Sequence, residues 1–126
     1  MKQTEIKALM AKPSKEPKVV MLKTDLESLQ KAVSIGADYQ GLIEIISLGD
    51  GTCVLCNEEG KLIGLDGNRR IGNDIIAGVF YVVGENDVGE LISLTGQQLE
   101  FYETRFFFPE CYTKEGIANH VFITFC

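Results

Sequence analysis

Cys53-Val54-Leu55-Cys56 holds two thiols at the spacing used by zinc knuckles and by dithiol redox centres. A zinc knuckle needs its thiolates to converge from a turn. A redox pair sits at a helix N-terminus, where the dipole lowers the thiol pKa. Here Val and Leu separate the two sulfurs in a segment patterned as a strand. Strand side chains alternate with a period of two, so an offset of three sends the sulfurs to opposite faces. Cys111 and Cys126 form no second pair of this kind, and the four cysteines read as small hydrophobes, reduced in a cytoplasm. Neither a metal nor a cofactor is expected.

His120 is the single histidine, in a segment near the C-terminal end that reads as an edge strand. That is a poor platform for nucleophilic catalysis with Cys111 or a serine. Glu58 and Glu59 are adjacent, so they diverge in a strand and solvate a turn, whereas acid–base work needs two carboxylates facing one cleft. Asp66-Gly67-Asn68 opens like a calcium loop, but Arg70 and Ile71 then stand where an acid and a glycine are required. Asn68-Arg69-Arg70 has the composition of an anion clamp for a phosphate or carboxylate. The competing reading pairs the arginines with Glu58, Glu59 or Asp74. In Phe106-Phe107-Phe108 a helix can bury two aromatics at most, leaving one for the tail strand or a second copy of the chain. The expected ligand- or partner-binding set is Asn57, Glu58, Glu59, Asn68, Arg69 and Arg70. No catalytic residue, and hence no enzyme, is expected.

The elements that must position these residues come from a chain of 126 residues, which implies one domain over 1–126, with a core at 5–108 and a tail at 109–126. Eighteen acidic against 12 basic residues give a net charge of −6, which argues against direct nucleic-acid binding by clustered Lys and Arg. The charged N-terminus lacks the apolar run of a signal peptide, and no stretch approaches the ~18 apolar residues of a membrane span. A cytoplasmic protein is expected.

Alternation predicts strands at 5–12 and 18–23, joined by a hairpin loop between Pro13 and Pro17. Thr24 and Glu27 have the spacing of a capping box, and Leu26, Leu29 and Val33 the spacing of a helix over 25–35 closed by Gly36. Further strands are expected at 41–47 and 52–57, with Leu62 and Ile63 continuing a hairpin after the turn at Gly60. An irregular stretch follows from Asp66 to Asp74, then a strand over 78–84 and a short one within 89–94. Thr95 and Gln98 make a second capping box, opening a helix through about Phe107 that Pro109 ends. The last apolar run, 120–125, suits an edge strand. The expected fold class is α+β: one mixed, mainly antiparallel sheet with one or two helices packed on one face.

Several blocks taken in order carry a family resemblance: Lys15-Glu16-Pro17, Asp25-Leu26-Glu27-Ser28-Leu29-Gln30, Leu48-Gly49-Asp50-Gly51, Cys56-Asn57-Glu58-Glu59-Gly60-Lys61-Leu62, Asn68-Arg69-Arg70 and Asp74-Ile75-Ile76-Ala77-Gly78. Over about residues 5–105 the chain resembles a family of small proteins of unknown function found on phages, plasmids and other mobile elements of gut bacteria. It departs from that family's pattern at Asp66-Gly67 and after Phe108. The resemblance implies a mobile-element context, in which small proteins often block host defence by binding. The expected function is accordingly non-enzymatic protein–protein contact with a host or phage protein, as an inhibitor of a defence system, with homodimerisation open. The alternative is binding or sequestering a nucleotide or other small anion through the 66–70 loop.

Overall fold

The computed structural model describes residues 4–112 and 124–125. In chain order the elements are β1 (Glu5–Ala11), β2 (Lys18–Lys23), α1 (Leu26–Ala32), β3 (Ile43–Ser47), β4 (Thr52–Asn57), β5 (Gly67–Ile71), β6 (Asp74–Ala77), β7 (Phe80–Glu85), β8 (Leu91–Ile92), α2 (Gly96–Arg105), β9 (Glu110–Cys111) and β10 (Thr124–Phe125). Among the described residues, no helix is long and apolar enough to cross a membrane.

The main sheet runs β2-β1-β7-β4-β3, with β8 added to β7, and every pairing in it is antiparallel. The fold is therefore α+β, as its pattern of strands and capped helices predicts. The first two strands form the expected hairpin, with Glu5 opposite Lys23 and Met10 opposite Lys18. The centre of the sheet is buried on both sides: all of β4 and all but the last residue of β7 are inaccessible. Alternation splits these strands between two cores. Val54, Cys56, Phe80 and Val82 join Leu9, Ala11, Tyr102 and Phe106 under α2. Cys53, Leu55, Tyr81 and Val83 join Ile6, Ala8, Leu29 and Val33 under α1. The two helices thus cover opposite faces of a wholly antiparallel sheet, and not one face of a mixed sheet as expected, because a sheet whose central strands are apolar on both sides needs a cover on each.

Local chemistry accounts for the element ends. The N-cap of α1 is Asp25, whose carboxylate accepts the Ser28 N–H at 3.0 Å. Thr24, the expected cap, is buried just before it. The helix is a turn shorter than its apolar spacing suggests, ending at Ala32 with Val33 as C-cap. The second capping box forms as expected: Gln98 N–H donates to Thr95 Oγ1 and Thr95 N–H to Gln98 Oε1.

Two segments differ from their expected form. Leu62 and Ile63 lie in a run of turns over 58–64 instead of a strand. The stretch expected to be irregular is the β5–β6 hairpin, whose two-residue Gly72-Asn73 connection is a recognised hairpin signal. At the C-terminal end, Thr124–Phe125 pairs with Glu110–Cys111 in a separate two-stranded ladder and not at the edge of the main sheet. The other residues of the expected 120–125 strand, His120 included, lie outside the described residues. Cys53 and Cys56 are free and buried. Cys111, expected reduced, is in a disulfide.

Candidate functional site

The β5–β6 hairpin packs under α2 and carries the Asn-Arg-Arg run. A register shift between Gly67 and Arg69 makes Asn68 the bulged residue. A bulge breaks strand alternation locally, so Asn68 and Arg69 both face inward, while Arg70 is exposed. The two arginines therefore do not form one clamp.

Asn68 is fully buried. Its Nδ2 donates to the carbonyls of Ala11 at 2.7 Å and Gly78 at 2.8 Å, and its Oδ1 accepts from Arg69 Nη1 at 2.7 Å. Arg69 is the largest fully buried side chain among the described residues. Its Nη2 reaches the carbonyls of Lys15 at 2.6 Å and Phe106 at 2.8 Å, and its Nε also donates to Phe106 at 3.2 Å. Burial pulls the guanidinium pKa down from its usual value, with Glu110 and Tyr112 acting in the other direction. Asn68 and Arg69 together act as a brace that ties the end of β1, the β1–β2 loop, the entry to β7 and the C-cap of α2 to one hairpin. Outside that brace, the Arg70 backbone N–H donates to Glu110 Oε1 at 2.9 Å and its Nε to the Gly72 carbonyl at 3.4 Å.

The Asn57-Glu58-Glu59 block closes the other end of this region. Asn57 is buried, and its Oδ1 accepts the Glu59 N–H at 2.9 Å, the geometry of an Asx turn. Glu58 is exposed and its backbone N–H donates to the Leu42 carbonyl. A cleft of about 190 Å³ is lined here by Glu44, Cys56, Glu58, Lys61 and Asp74 among others, with Lys61 ion-paired to Asp74. The sequence-predicted set is thus divided: Asn57, Asn68 and Arg69 are internal, Glu59 is half-buried, and Glu58 and Arg70 reach solvent.

The thiols of Cys53 and Cys56 lie in different cores, as an offset of three in a strand requires. Burial, with Glu85 adding to it, pushes Cys53 up to about 11; burial, with Glu44 beside it, pushes Cys56 up to about 12. Both therefore remain protonated at neutral pH, far from the thiolate that attacks or ligates.

One cluster escaped sequence reasoning. Asp50, between two glycines at the β3–β4 turn, accepts the Tyr102 hydroxyl at 2.5 Å, the Thr52 N–H at 3.1 Å and the Thr52 hydroxyl. It fastens that turn to α2. The Gly49-Asp50-Gly51-Thr52 run signals the turn, but no sequence pattern points to a tyrosine 52 residues away.

A family model described as a domain of unknown function, DUF3846, matches residues 6–107. No curated protein and no solved structure matches the chain. The match spans most of the chain, so the chain belongs to the DUF3846 family.

Proposed function

We propose that this DUF3846 protein is a non-enzymatic binding protein that acts by protein–protein contact through the outer face of α2 and the chain just after it. The observation that carries this reading is aromatic exposure. Phe101, Phe107 and Phe108 are 58%, 46% and 67% accessible, while their neighbours Tyr102 and Phe106 fill the core. Phe107 and Phe108 pack edge to face at 5.0 Å, and Phe101 lies in a shallow cleft with Gln97, Glu100, Thr104 and Arg105. Exposed aromatics beside an arginine have the composition of interface anchors. The net charge of −6 favours a partner with a basic surface, such as a nucleic-acid-binding protein. The family resemblance extends the reading: a phage or other mobile element would carry the protein, and it would work in the bacterial cytoplasm as an inhibitor of a host defence protein. The small-anion reading of the 66–70 loop is the weaker one, because Asn68 and Arg69 spend their donors on the protein's own carbonyls.

The test is recovery of tagged protein from infected bacterial cells, beside the Phe101→Ser/Phe108→Ser variant. One host protein should co-purify with the wild type and be lost from the variant, whose melting remains cooperative. Clean recovery of the wild type alone, or equal capture by both, would overturn the proposal.

A further inference from the structure

The Asn68–Arg69 brace holds in place the walls of a cleft beside the β1–β2 loop. This cleft, about 310 Å³, is lined by Lys12, Pro13 and Lys15 of the β1–β2 loop, by Ile35 and Gly36 after α1, and by Gly64, Leu65, Asp66, Gly78 and Val79. Its volume is at the lower end of the range for small-molecule sites. The two lysines are exposed, and neither is ion-paired among the described residues, in a chain with an acidic excess of six. Ile35, Leu65 and Val79 give the cleft an apolar floor, and Asp66 is the one acid in its lining against the two lysines.

The walls are fixed by hydrogen bonds. Asn68 Nδ2 holds the Ala11 carbonyl, immediately before Lys12, and the Gly78 carbonyl, immediately before Val79. Arg69 Nη2 holds the Lys15 carbonyl. The Lys15 N–H donates back to the Lys12 carbonyl at 3.2 Å, and the Gly78 N–H to the Asp66 carbonyl at 2.7 Å. A Cβ added at Gly78 would lie 2.7 Å from Leu65 Cδ1, so the floor is closely apposed to the wall. Two buried polar side chains thus organise the backbone on which both lysines stand, and preorganised walls reduce the ordering cost of binding.

We infer that this cleft is a binding site for a small anion with an apolar or aromatic body, its charge met by Lys12 and Lys15 and its body seated on Ile35, Leu65 and Val79. Asn68 and Arg69 are then positioning residues that never touch the ligand. This site is separate from the α2 surface and does not depend on it.

The experiment is an amide-resolved NMR titration of the full chain with phenyl phosphate, adenosine monophosphate, inorganic phosphate and adenosine. At least one of the two aromatic phosphates should shift the amides of Ile35, Gly36, Gly64, Leu65, Gly78 and Val79 in a saturable way. Inorganic phosphate and adenosine, each lacking half of the recognition, should bind about tenfold more weakly or not at all. Lys12→Gln/Lys15→Gln alters only exposed side chains and should keep the wild-type melting temperature while weakening the aromatic phosphate about tenfold. The inference is overturned if neither aromatic phosphate shifts these amides, if inorganic phosphate or adenosine binds as well, or if the double variant binds like the wild type.

Discussion

Arg69 places two donors on a single acceptor, the carbonyl of Phe106, with Nε at 3.2 Å and Nη2 at 2.8 Å. Phe106 is the C-cap of α2, so this contact ends a helix with a side chain from a hairpin 37 residues earlier. Its other partner, the Lys15 carbonyl, belongs to a third segment.

Removing this guanidinium leaves the Phe106 carbonyl and Asn68 Oδ1 without their donor in the interior, and the Lys15 carbonyl without its donor at the edge of it. Arg69→Ala should cost about 2–4 kcal/mol, because a buried acceptor left without its donor costs about 1–3 kcal/mol. Arg69→Lys keeps the charge but cannot bridge the same carbonyls in a planar fork, and should recover only part of the loss. Urea midpoints at neutral pH check both, and a near-native Arg69→Ala would show that the brace is dispensable.

The Tyr102–Asp50 contact predicts an acid-sensitive latch. Burial pushes the Asp50 carboxyl up, but hydrogen bonds from Thr52 and Tyr102 outweigh it and hold the group below its usual range. A carboxylate depressed in the folded state adds stability above its unfolded pKa, about 3.9, and loses it as pH falls through the lower folded value. Tyr102→Phe should cost about 1–2 kcal/mol at neutral pH. In that variant the fall in urea midpoint below pH 4 should be shallower than in the wild type.

Much of this architecture is legible in the residues themselves. Alternation in Glu5–Ala11 and Lys18–Lys23 locates the first hairpin, and Thr95 with Gln98 locates the start of α2. The β5–β6 hairpin was harder to read because its inward face carries Asn68 and Arg69, residues that composition assigns to a surface loop. Their burial depends on carbonyls supplied by Ala11, Lys15, Gly78 and Phe106, which no local window contains. The candidate site suffered for the same reason: the motif Asn-Arg-Arg is visible, but a one-residue bulge decides which arginine meets water. The cap of α1 shows a smaller version of the problem, since Thr24 and Asp25 are both competent and only the Ser28 N–H chooses between them.

Glycine substitutions separate close approach from backbone conformation. A Cβ at Gly60 would stand 2.4 Å from the Ala77 carbonyl oxygen, a backbone atom that cannot swing away. Gly49, at φ +81°, has nothing within 4 Å. Gly49→Ala should cost about 1 kcal/mol, the price of a left-handed conformation for a residue with a Cβ. Gly60→Ala should cost more, about 2–3 kcal/mol, by forcing the 58–64 turn off β6. Thermal unfolding of the pair checks the order, and a milder Gly60→Ala would contradict the close packing.

Alkaline pH should weaken the fold through its buried acids. Cys53 is raised to about 11, Cys56 to about 12 and Tyr81 to about 12, each mainly by burial. Groups raised in the folded state support it fully below their unfolded pKa, about 8.5 for a thiol, and lose that support as pH climbs toward the folded value. Urea midpoints should therefore decline from about pH 8.5 upward. Cys53→Ala/Cys56→Ala should start from a lower midpoint and decline less steeply over the same interval.

The two thiols also have a kinetic meaning. Cys53 lies in the layer under α1 and Cys56 in the layer under α2, three residues apart on one strand. A thiol reagent reaches Cys53 when the α1 layer parts from the sheet, whereas Cys56 also lines the cleft beside Lys61 and Asp74 and can be reached by local opening there. Faster alkylation of Cys53 would mean that α1 lifts away by itself, faster alkylation of Cys56 that the cleft between β4 and the β5–β6 hairpin opens first, and equal rates that the molecule opens as a unit. Within a single strand, the chain carries a separate clock for each of its two faces.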